Sequence, residues 1–258
     1  MADPKALVLR AAGTNCDRET VFALSRAGFD ARSVHVFELL DEPRRLREYR
    51  FLVVPGGFSY GDDVSAGKIL ANQLVHHLAD ELNAFVEADK LVLGICNGFQ
   101  VLLKSGLLPW GRVGEADATA EATLAWSDSG HFEDRWVHLR GDSSNCVFLP
   151  AGEVIYLPIA NGEGKFVPRD EALLERLRQA DAVALRYTDA AGNGGGAANP
   201  NGSVDGIAGL CDPTGRILGL MPHPERFVDV TQHPRWTRGG VDRADGALLL
   251  THARKALG

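Results

Sequence analysis

The chain has 258 residues, of which 45% are apolar and 24% are charged, and its formal net charge is -7 at pH 7. This length suffices for one large α/β domain or two small ones, and we predict a single domain over residues 1–258. Acidic and basic residues are interleaved without a basic stripe, so the charge pattern that favours nucleic-acid binding is missing. We therefore expect no nucleic-acid partner.

The N-terminal sequence has an apolar stretch of only four residues, which is shorter than the core of a signal peptide. No later run approaches the roughly 20 residues of a membrane span. We therefore expect a cytoplasmic protein without a membrane partner. The cysteines at 16, 96, 146 and 211 are widely spaced. This spacing predicts free thiols, with neither a metal site nor a disulfide framework.

The first hundred residues alternate short β-rich runs with helical patterns, which is typical of a parallel sheet with crossover helices. The strand runs are almost continuously apolar, as expected for strands that are covered on both faces. Apolar residues at helical spacing predict a long amphipathic helix from Ile69 to Val86, with Ser65 as its N-cap. The strands are predicted at residues 6–9, 31–37, 51–54 and 91–95.

After Gly106 the runs become shorter and alternate between apolar and polar residues, which predicts additional, partly antiparallel strands. A last helix over 244–256 is expected to present Leu248, Leu249 and Ala253 on one face. The glycine-rich stretch 192–202 is predicted to be a flexible loop. The later strands are predicted at residues 135–139, 154–159, 182–187 and 217–221.

The sequence GICNG at 94–98 follows an apolar strand and opens a helical pattern. It is the cysteine version of the G-x-S-x-G nucleophile elbow, in which only glycines fit beside the nucleophile in a tight strand-to-helix turn. A thiol at a helix N-terminus is also favoured as thiolate. We therefore predict Cys96 as a nucleophile, while a plain core cysteine is the alternative that this motif alone leaves open.

The sequence MPHPER at 221–226 contains the histidine best placed to serve as a base. Its two prolines favour an extended backbone, in which residues at i and i+2 point the same way. Glu225 can then orient the imidazole of His223 while the other ring nitrogen faces Cys96. This predicts a Cys96, His223 and Glu225 triad. A proline-stiffened loop with a solvated ion pair is the alternative.

An amide-cleaving cysteine also needs N–H donors for the oxyanion. The turn Pro55-Gly56-Gly57 after the third strand and the N–H of Asn97 are candidates, although two glycines after a strand also fit a simple turn. The stretch GDDVSAGK at 61–68 has the wrong glycine spacing for a phosphate-binding loop, and Ile69 stands where a hydroxyl should hold magnesium. No nucleotide site is predicted on this chain.

A resemblance to a known family is carried first by PGGFSYGDD at 55–63, GICNGFQVLLKSGLLP at 94–109 and GLMPHPER at 219–226. Further similar segments are SGHFEDRWVHL at 129–139, PIANGEGKF at 158–166 and NPNGSVDGIAGLCDPTGRILG at 199–219. With them, the chain resembles the glutaminase subunits of phosphoribosylformylglycinamidine synthases, which are class I, triad-type glutamine amidotransferases. The G-x-C-x-G motif alone fits any class I amidotransferase, whereas FSYGD and MPHPER narrow the resemblance to this subunit. The resemblance spans essentially the whole chain.

The resemblance implies a three-layer, flavodoxin-like α/β fold with a mostly parallel central sheet flanked by helices and with additional antiparallel strands. It implies hydrolysis of glutamine to glutamate and ammonia through a γ-glutamyl thioester on Cys96, within de novo purine biosynthesis. Gly57 and Asn97 would supply the oxyanion N–H groups. Gln100 and the segment around Phe132 would hold the α-amino and α-carboxylate groups of glutamine.

The resemblance also implies partners. A separate synthetase subunit would use ATP and magnesium to convert formylglycinamide ribonucleotide to formylglycinamidine ribonucleotide, with a small third subunit in the complex. This chain would hold no cofactor itself. Two departures from the family pattern concern the substrate pocket or the complex contacts, because Asn161 stands where the family commonly has His, and the family commonly has Asn near Trp126.

Two other functions compete with this reading. One is a cysteine hydrolase or stress protein of the same superfamily fold, but a histidine commonly follows the nucleophile there, where this chain has Asn97. The other is a non-catalytic regulatory subunit, against which the presence of all three triad residues argues.

Overall fold

The computed structural model describes residues 3–114 and 121–258. Its strands are β1 (Lys5–Arg10), β2 (Asp30–His35), β3 (Phe51–Val54), β4 (Leu91–Ile95), β5 (Ala122–Trp126), β6 (Glu133–Gly141), β7 (Val154–Asn161), β8 (Glu163–Pro168), β9 (Val183–Thr188), β10 (Ile207–Cys211) and β11 (Ile217–Leu220). Its helices are α1 (Asp17–Arg26), α2 (Val36–Asp41), α3 (Lys68–Glu87), α4 (Asn97–Ser105), α5 (Leu107–Trp110), α6 (Glu171–Gln179) and α7 (Asp245–Lys255).

Nine strands form one sheet in the order β2-β1-β3-β4-β11-β10-β9-β6-β7. The first five run parallel in the 2-1-3-4-5 order of flavodoxin-like folds, with β11 as the fifth strand. The remaining strands pair antiparallel. Strands β5 and β8 form a separate antiparallel pair. The α/β class, with a parallel centre and added antiparallel strands, is thus confirmed.

The core lies around the parallel strands. Every residue of β3 and β4 is buried, because helices cover both faces of the sheet. Helix α3 packs against α4, and α1 packs against α7. Burial of a single leucine contributes about 1.5–3 kcal/mol to stability, so a regular apolar stripe fixes a helix firmly. In α3 that stripe consists of Leu70, Leu74, Leu78, Leu82 and Phe85.

Two predicted boundaries are wrong for local reasons. The strand predicted over 31–37 ends at His35, where a capping box starts α2: the His35 side chain accepts from the Phe37 N–H, and Glu38 accepts from the His35 N–H. Ser65 does not cap α3, which follows the left-handed Gly67. The Ser65 hydroxyl instead accepts a hydrogen bond from Lys104 Nζ at 2.6 Å.

The last helix forms as predicted but buries a slightly different face. Leu249, Leu250 and Ala253 are buried, whereas Leu248 is only partly covered. In the glycine-rich stretch 192–202, Asn201 is buried and accepts a hydrogen bond from the Ser203 hydroxyl at 2.8 Å, so the end of this loop is anchored. Within the described ranges, no helix is long and apolar enough to cross a membrane.

Helix α4 lies in direct contact with strand β3. A Cβ atom on Gly98 would lie 1.8 Å from the carbonyl oxygen of Val54, so a residue other than glycine would push the helix from the sheet. This contact brings the first turn of α4 to the carboxyl end of β3. In open α/β sheets, ligands bind at the carboxyl ends of the strands.

We expect Gly98→Ala to lower the free energy of unfolding by at least about 2 kcal/mol, because the added methyl group overpacks the contact with Val54. Urea unfolding followed by circular dichroism measures this loss. Gly194→Ala is the control, since a Cβ there would meet only the Tyr187 carbonyl oxygen, at 3.8 Å. Equal midpoints for the two variants would contradict the prediction.

Candidate active site

Cys96 stands between β4 and α4 in a strained backbone conformation. Its φ is 51° and its ψ is -107°, a region that residues other than glycine rarely adopt. Its N–H donates to the carbonyl oxygen of Leu220 in β11 at 2.8 Å, which fixes the turn. The residue is 8% exposed. Cys96 thus has the local geometry of a nucleophile elbow.

His223 and Glu225 follow β11 and form a buried pair. The His223 Nδ1 and Glu225 Oε1 atoms are 2.6 Å apart, and the two residues are 2% and 1% exposed. The backbone N–H of His223 donates to the carbonyl oxygen of Pro158 in β7 at 2.9 Å. Because Glu225 occupies Nδ1, the Nε2 atom remains, and it has no hydrogen-bond partner in the part of the chain that the structure describes.

The backbone of Gly56 is the point where the site residues converge. A Cβ atom there would lie 2.9 Å from His223 Cε1, 3.1 Å from Cys16 Sγ and 3.5 Å from Cys96 Cβ. The three predicted triad residues are therefore brought together, as MPHPER and GICNG suggested. Burial disfavours the imidazolium, but the Glu225 carboxylate and the Cys16 and Cys96 thiols outweigh it. They hold the pKa of His223 well above its usual value.

Cys16 is a residue of the site that the sequence patterns did not reveal. It lies between β1 and α1, and its Sγ accepts a hydrogen bond from Arg226 Nη2 at 3.2 Å. Arg226 also pairs with Glu19, with an Nε to Oε1 distance of 2.9 Å. Burial raises the pKa of the Cys16 thiol. No pattern in the sequence links Cys16 to Arg226, which lies 210 positions away in the chain.

The donor atoms of Cys16, His223 and Glu225 lie within 4.8 Å of one another. Sulfur, nitrogen and oxygen donors in this number are typical of zinc sites. An ion there would take the same imidazole and carboxylate that form the buried pair. Metal binding and a free imidazole base therefore exclude one another at this position.

A cavity of about 460 Å³ opens above these residues. It is lined by Cys96, His223, Gln100 and Phe132 of the predicted site, together with residues from the β1–α1 loop, the turn after β3 and the end of β7. A larger cavity, of about 540 Å³, lies beside α3 and α4 near Lys68 and Trp110 and contains none of the predicted site residues. The first cavity is therefore the candidate substrate pocket.

Of the two predicted oxyanion donors, Gly57 lines this pocket, and Asn97 directly follows Cys96 as the first residue of α4. Within residues 3–114 and 121–258, neither the Gly57 N–H nor the Asn97 N–H is paired with a backbone or side-chain acceptor. The Asn97 side chain braces the loop after β3, because its Oδ1 accepts from the Ser59 N–H at 3.3 Å and its Nδ2 donates to Asp62 Oδ1 at 2.9 Å. Neither N–H group is thus occupied by an acceptor of the described residues, and their role as oxyanion donors stays a prediction.

The two predicted substrate-binding residues differ in how firmly the protein holds their side chains. Gln100 is buried, its Oε1 accepts from Asn97 Nδ2 at 3.1 Å, and its Nε2 donates to the Glu163 carbonyl oxygen at 3.5 Å. Both ends of its amide are therefore held by the protein. Phe132 is 55% exposed at the rim of the pocket. Their binding of glutamine stays a prediction.

Comparison with known proteins identifies the family. Residues 3–255 match the model of the CobB/CobQ-like glutamine amidotransferase domain. The chain is 44% identical to phosphoribosylformylglycinamidine synthase subunit PurQ of Dehalococcoides mccartyi, over 99% of this chain and 98% of that protein. It is 41% identical to the subunit PurQ of Methanococcus maripaludis, over 90% of this chain and 86% of that protein.

A solved structure agrees with these relatives. A chain of the PurLQS structure from Thermotoga maritima matches with a TM-score of 0.74 and 32% identity, covering 99% of this chain and 100% of that chain. The fold, the nucleophile elbow and the buried histidine pair thus occur in a chain that belongs to the glutamine amidotransferases, in the family of phosphoribosylformylglycinamidine synthase subunit PurQ.

Proposed function

We propose that this chain is the glutaminase subunit of a phosphoribosylformylglycinamidine synthase and hydrolyses glutamine to glutamate and ammonia. The observation that carries the proposal is the unpaired Nε2 of His223, which is held close to Cys96 while Glu225 occupies Nδ1. Acyl transfer by a cysteine requires a base of this kind, oriented at one nitrogen and free at the other. The similarity to PurQ subunits over nearly their full length supports the same function.

In the first half of the reaction, Sγ of Cys96 attacks the side-chain carbonyl carbon of glutamine, and the thiol proton passes to Nε2 of His223. The raised pKa of His223 favours this transfer. The carbonyl oxygen becomes an oxyanion, to which the N–H groups of Gly57 and Asn97 donate. The C–N bond then breaks as His223 returns the proton to the nitrogen, which leaves as ammonia. A γ-glutamyl thioester remains on Cys96.

In the second half, water attacks the thioester carbonyl carbon while Nε2 of His223 removes a proton from it. The C–S bond breaks, Sγ of Cys96 regains the proton, and glutamate leaves. Glu225 keeps the ring oriented and stabilises the imidazolium that forms in each half. Gln100 and Phe132 would contact the α-amino and α-carboxylate end of glutamine.

Ammonia that escaped into water near neutral pH would be protonated and lose its nucleophilicity. We therefore infer that it passes directly to a synthetase subunit, which binds ATP and magnesium and converts formylglycinamide ribonucleotide to formylglycinamidine ribonucleotide. A small third subunit would complete the complex. The match to a chain of PurLQS supports such an assembly. Residues 1–258 would act as one amidotransferase domain in the cytoplasm, without a cofactor of their own.

Cys96→Ala should abolish glutamate release from glutamine in the assembled complex, because no other group can form the thioester. Synthesis from added ammonium should persist, since the synthetase is untouched. Both rates are measured with formylglycinamide ribonucleotide and ATP present. Cys146→Ala is the matched control, because Cys146 has the same 8% exposure but lies outside the pocket. Glutamate release by Cys96→Ala at the wild-type rate would overturn the proposal.

Glu225→Gln should lower kcat for glutamine hydrolysis by a factor on the order of 100 to 10,000, because the imidazole loses the carboxylate that orients it and stabilises its charged form. The same change should lower the pKa of His223, since the Glu225 charge raises it. NMR titration of the imidazole measures this shift, with Glu153→Gln, at a surface ion pair with Arg243, as control. An unchanged midpoint would contradict the role given to Glu225.

A further inference from the structure

Two buried groups beside the His223 imidazole take no part in the proposed reaction. One is the Oε2 atom of Glu225, which has no hydrogen-bond partner among the described residues, although Glu225 is only 1% exposed. The other is the thiol of Cys16, a residue that is likewise 1% exposed. Buried polar atoms are nearly always hydrogen-bonded, so an unpaired carboxylate oxygen at this depth needs an explanation. A bound cation would satisfy it.

Both groups lie close to the imidazole and are held there. One donor atom each from Cys16, His223 and Glu225 lies within 4.8 Å of the other two. The Cys16 N–H donates to the carbonyl oxygen of Gly56 at 3.4 Å, and the Cys16 carbonyl oxygen accepts from the Thr20 hydroxyl at 2.7 Å. Cys16 and His223 also line the active-site cavity, so an ion can reach them from solvent.

The charges around these donors match a divalent cation. Arg226 lies nearby, but Glu19 compensates its charge, with an Nε to Oε1 distance of 2.9 Å. There remain the Glu225 carboxylate and, once the Cys16 thiol has lost its proton to solvent, one thiolate. Two negative charges then face an ion that carries two positive charges. Cysteine ligands generally release a proton in this way when a metal ion binds.

The types of donor select the class of metal ion. Thiolate and imidazole groups are ligands of zinc and of similar thiophilic divalent ions, whereas magnesium and calcium prefer oxygen ligands. Three protein ligands leave one position of a tetrahedral zinc site to water. Magnesium, which the synthetase partner would use, should therefore not compete for this site.

We propose that Cys16, His223 and Glu225 form an inhibitory site for zinc or a similar thiophilic divalent ion. The ion takes the imidazole that accepts the Cys96 thiol proton in the proposed reaction, so glutamine hydrolysis stops while the ion is bound. Only protons leave the protein, so a chelator restores the free base. The inhibitory effect rests on the proposed glutaminase function, whereas binding of the ion does not.

Inhibition is measured as glutamate release by the complex assembled with its synthetase, at free zinc concentrations set with a metal-ion buffer. Because a general base contributes on the order of 100-fold or more, saturating zinc should lower this rate at least about tenfold. A chelator should restore the rate. Synthesis from added ammonium, which reports any effect of zinc on the synthetase itself, should fall much less.

Cys16→Ser replaces the soft thiolate by a hydroxyl of similar shape. It should raise the zinc concentration for half-inhibition at least about tenfold, because losing a ligand weakens a metal site at least as much as losing a group that only orients a ligand. Each variant is compared with its own rate without zinc. Cys146→Ala, at a buried cysteine outside the cavity, is the control and should be inhibited like the wild type.

Cobalt binding tests the site without reference to activity. Co²⁺ added to the full chain should give the near-ultraviolet charge-transfer absorption of a cobalt–thiolate bond. This absorption should persist in Cys96→Ala and vanish in Cys16→Ser. Cys16→Ala, measured in parallel, should behave as Cys16→Ser does, and circular dichroism verifies that each variant is folded.

The outcomes separate the two proposals. Equal zinc inhibition of Cys16→Ser and the wild type, or a cobalt–thiolate absorption that is missing in the wild type or lost only in Cys96→Ala, would overturn the metal site and leave the glutaminase function intact. A wild-type complex that, without zinc, synthesised product from ammonium but released no glutamate from glutamine would overturn the glutaminase function. The cobalt absorption would then still decide whether the ion binds at Cys16.

Discussion

The contact between Gly98 and Val54 determines where the reactive groups of the active site lie. With no side chain between them, helix α4 starts directly over the carboxyl end of β3. Cys96 then stands at the helix N-terminus beside the Gly56-Gly57 turn. The His223 ring in turn fits against Gly56, where even a methyl group would collide with it. The absence of a side chain at Gly98 and Gly56 thus sets the geometry of the whole site.

Burial strengthens the interaction between His223 and Glu225. His223 and Glu225 are almost fully removed from solvent, and charges interact more strongly away from water. The added antiparallel strands help to hold His223 in this position, since its backbone N–H donates to the carbonyl oxygen of Pro158 in β7. The parallel strands alone would leave the imidazole without that support. Strands outside the flavodoxin-like core therefore help to position the predicted base.

The sequence was most informative where chemistry and local geometry coincide. The apolar runs predicted β3 and β4 with their observed ends, and GICNG and MPHPER predicted which side chains would meet. Elsewhere, local hydrogen bonds shifted the predicted boundaries. The capping box at His35, for example, starts a helix where the sequence pattern predicted the end of a strand. Cys16 could not be predicted, because its contact with Arg226 joins residues 210 positions apart that no motif links.

The parallel and the antiparallel strands contribute different parts of the site. The residues to which we assign bond making and breaking follow the parallel strands β4 and β11, whereas the end of the antiparallel strand β7 lines the same cavity. The hairpin of β6 and β7 lies at the far edge of the sheet from β2, so among the described strands β7 pairs with β6 alone. Changes in side chains at the end of β7 would therefore leave the pairing of the parallel strands untouched. A redesign aimed at amides other than glutamine has its natural starting point there, because the hydrolytic machinery can be kept unaltered while the accepted molecule is exchanged.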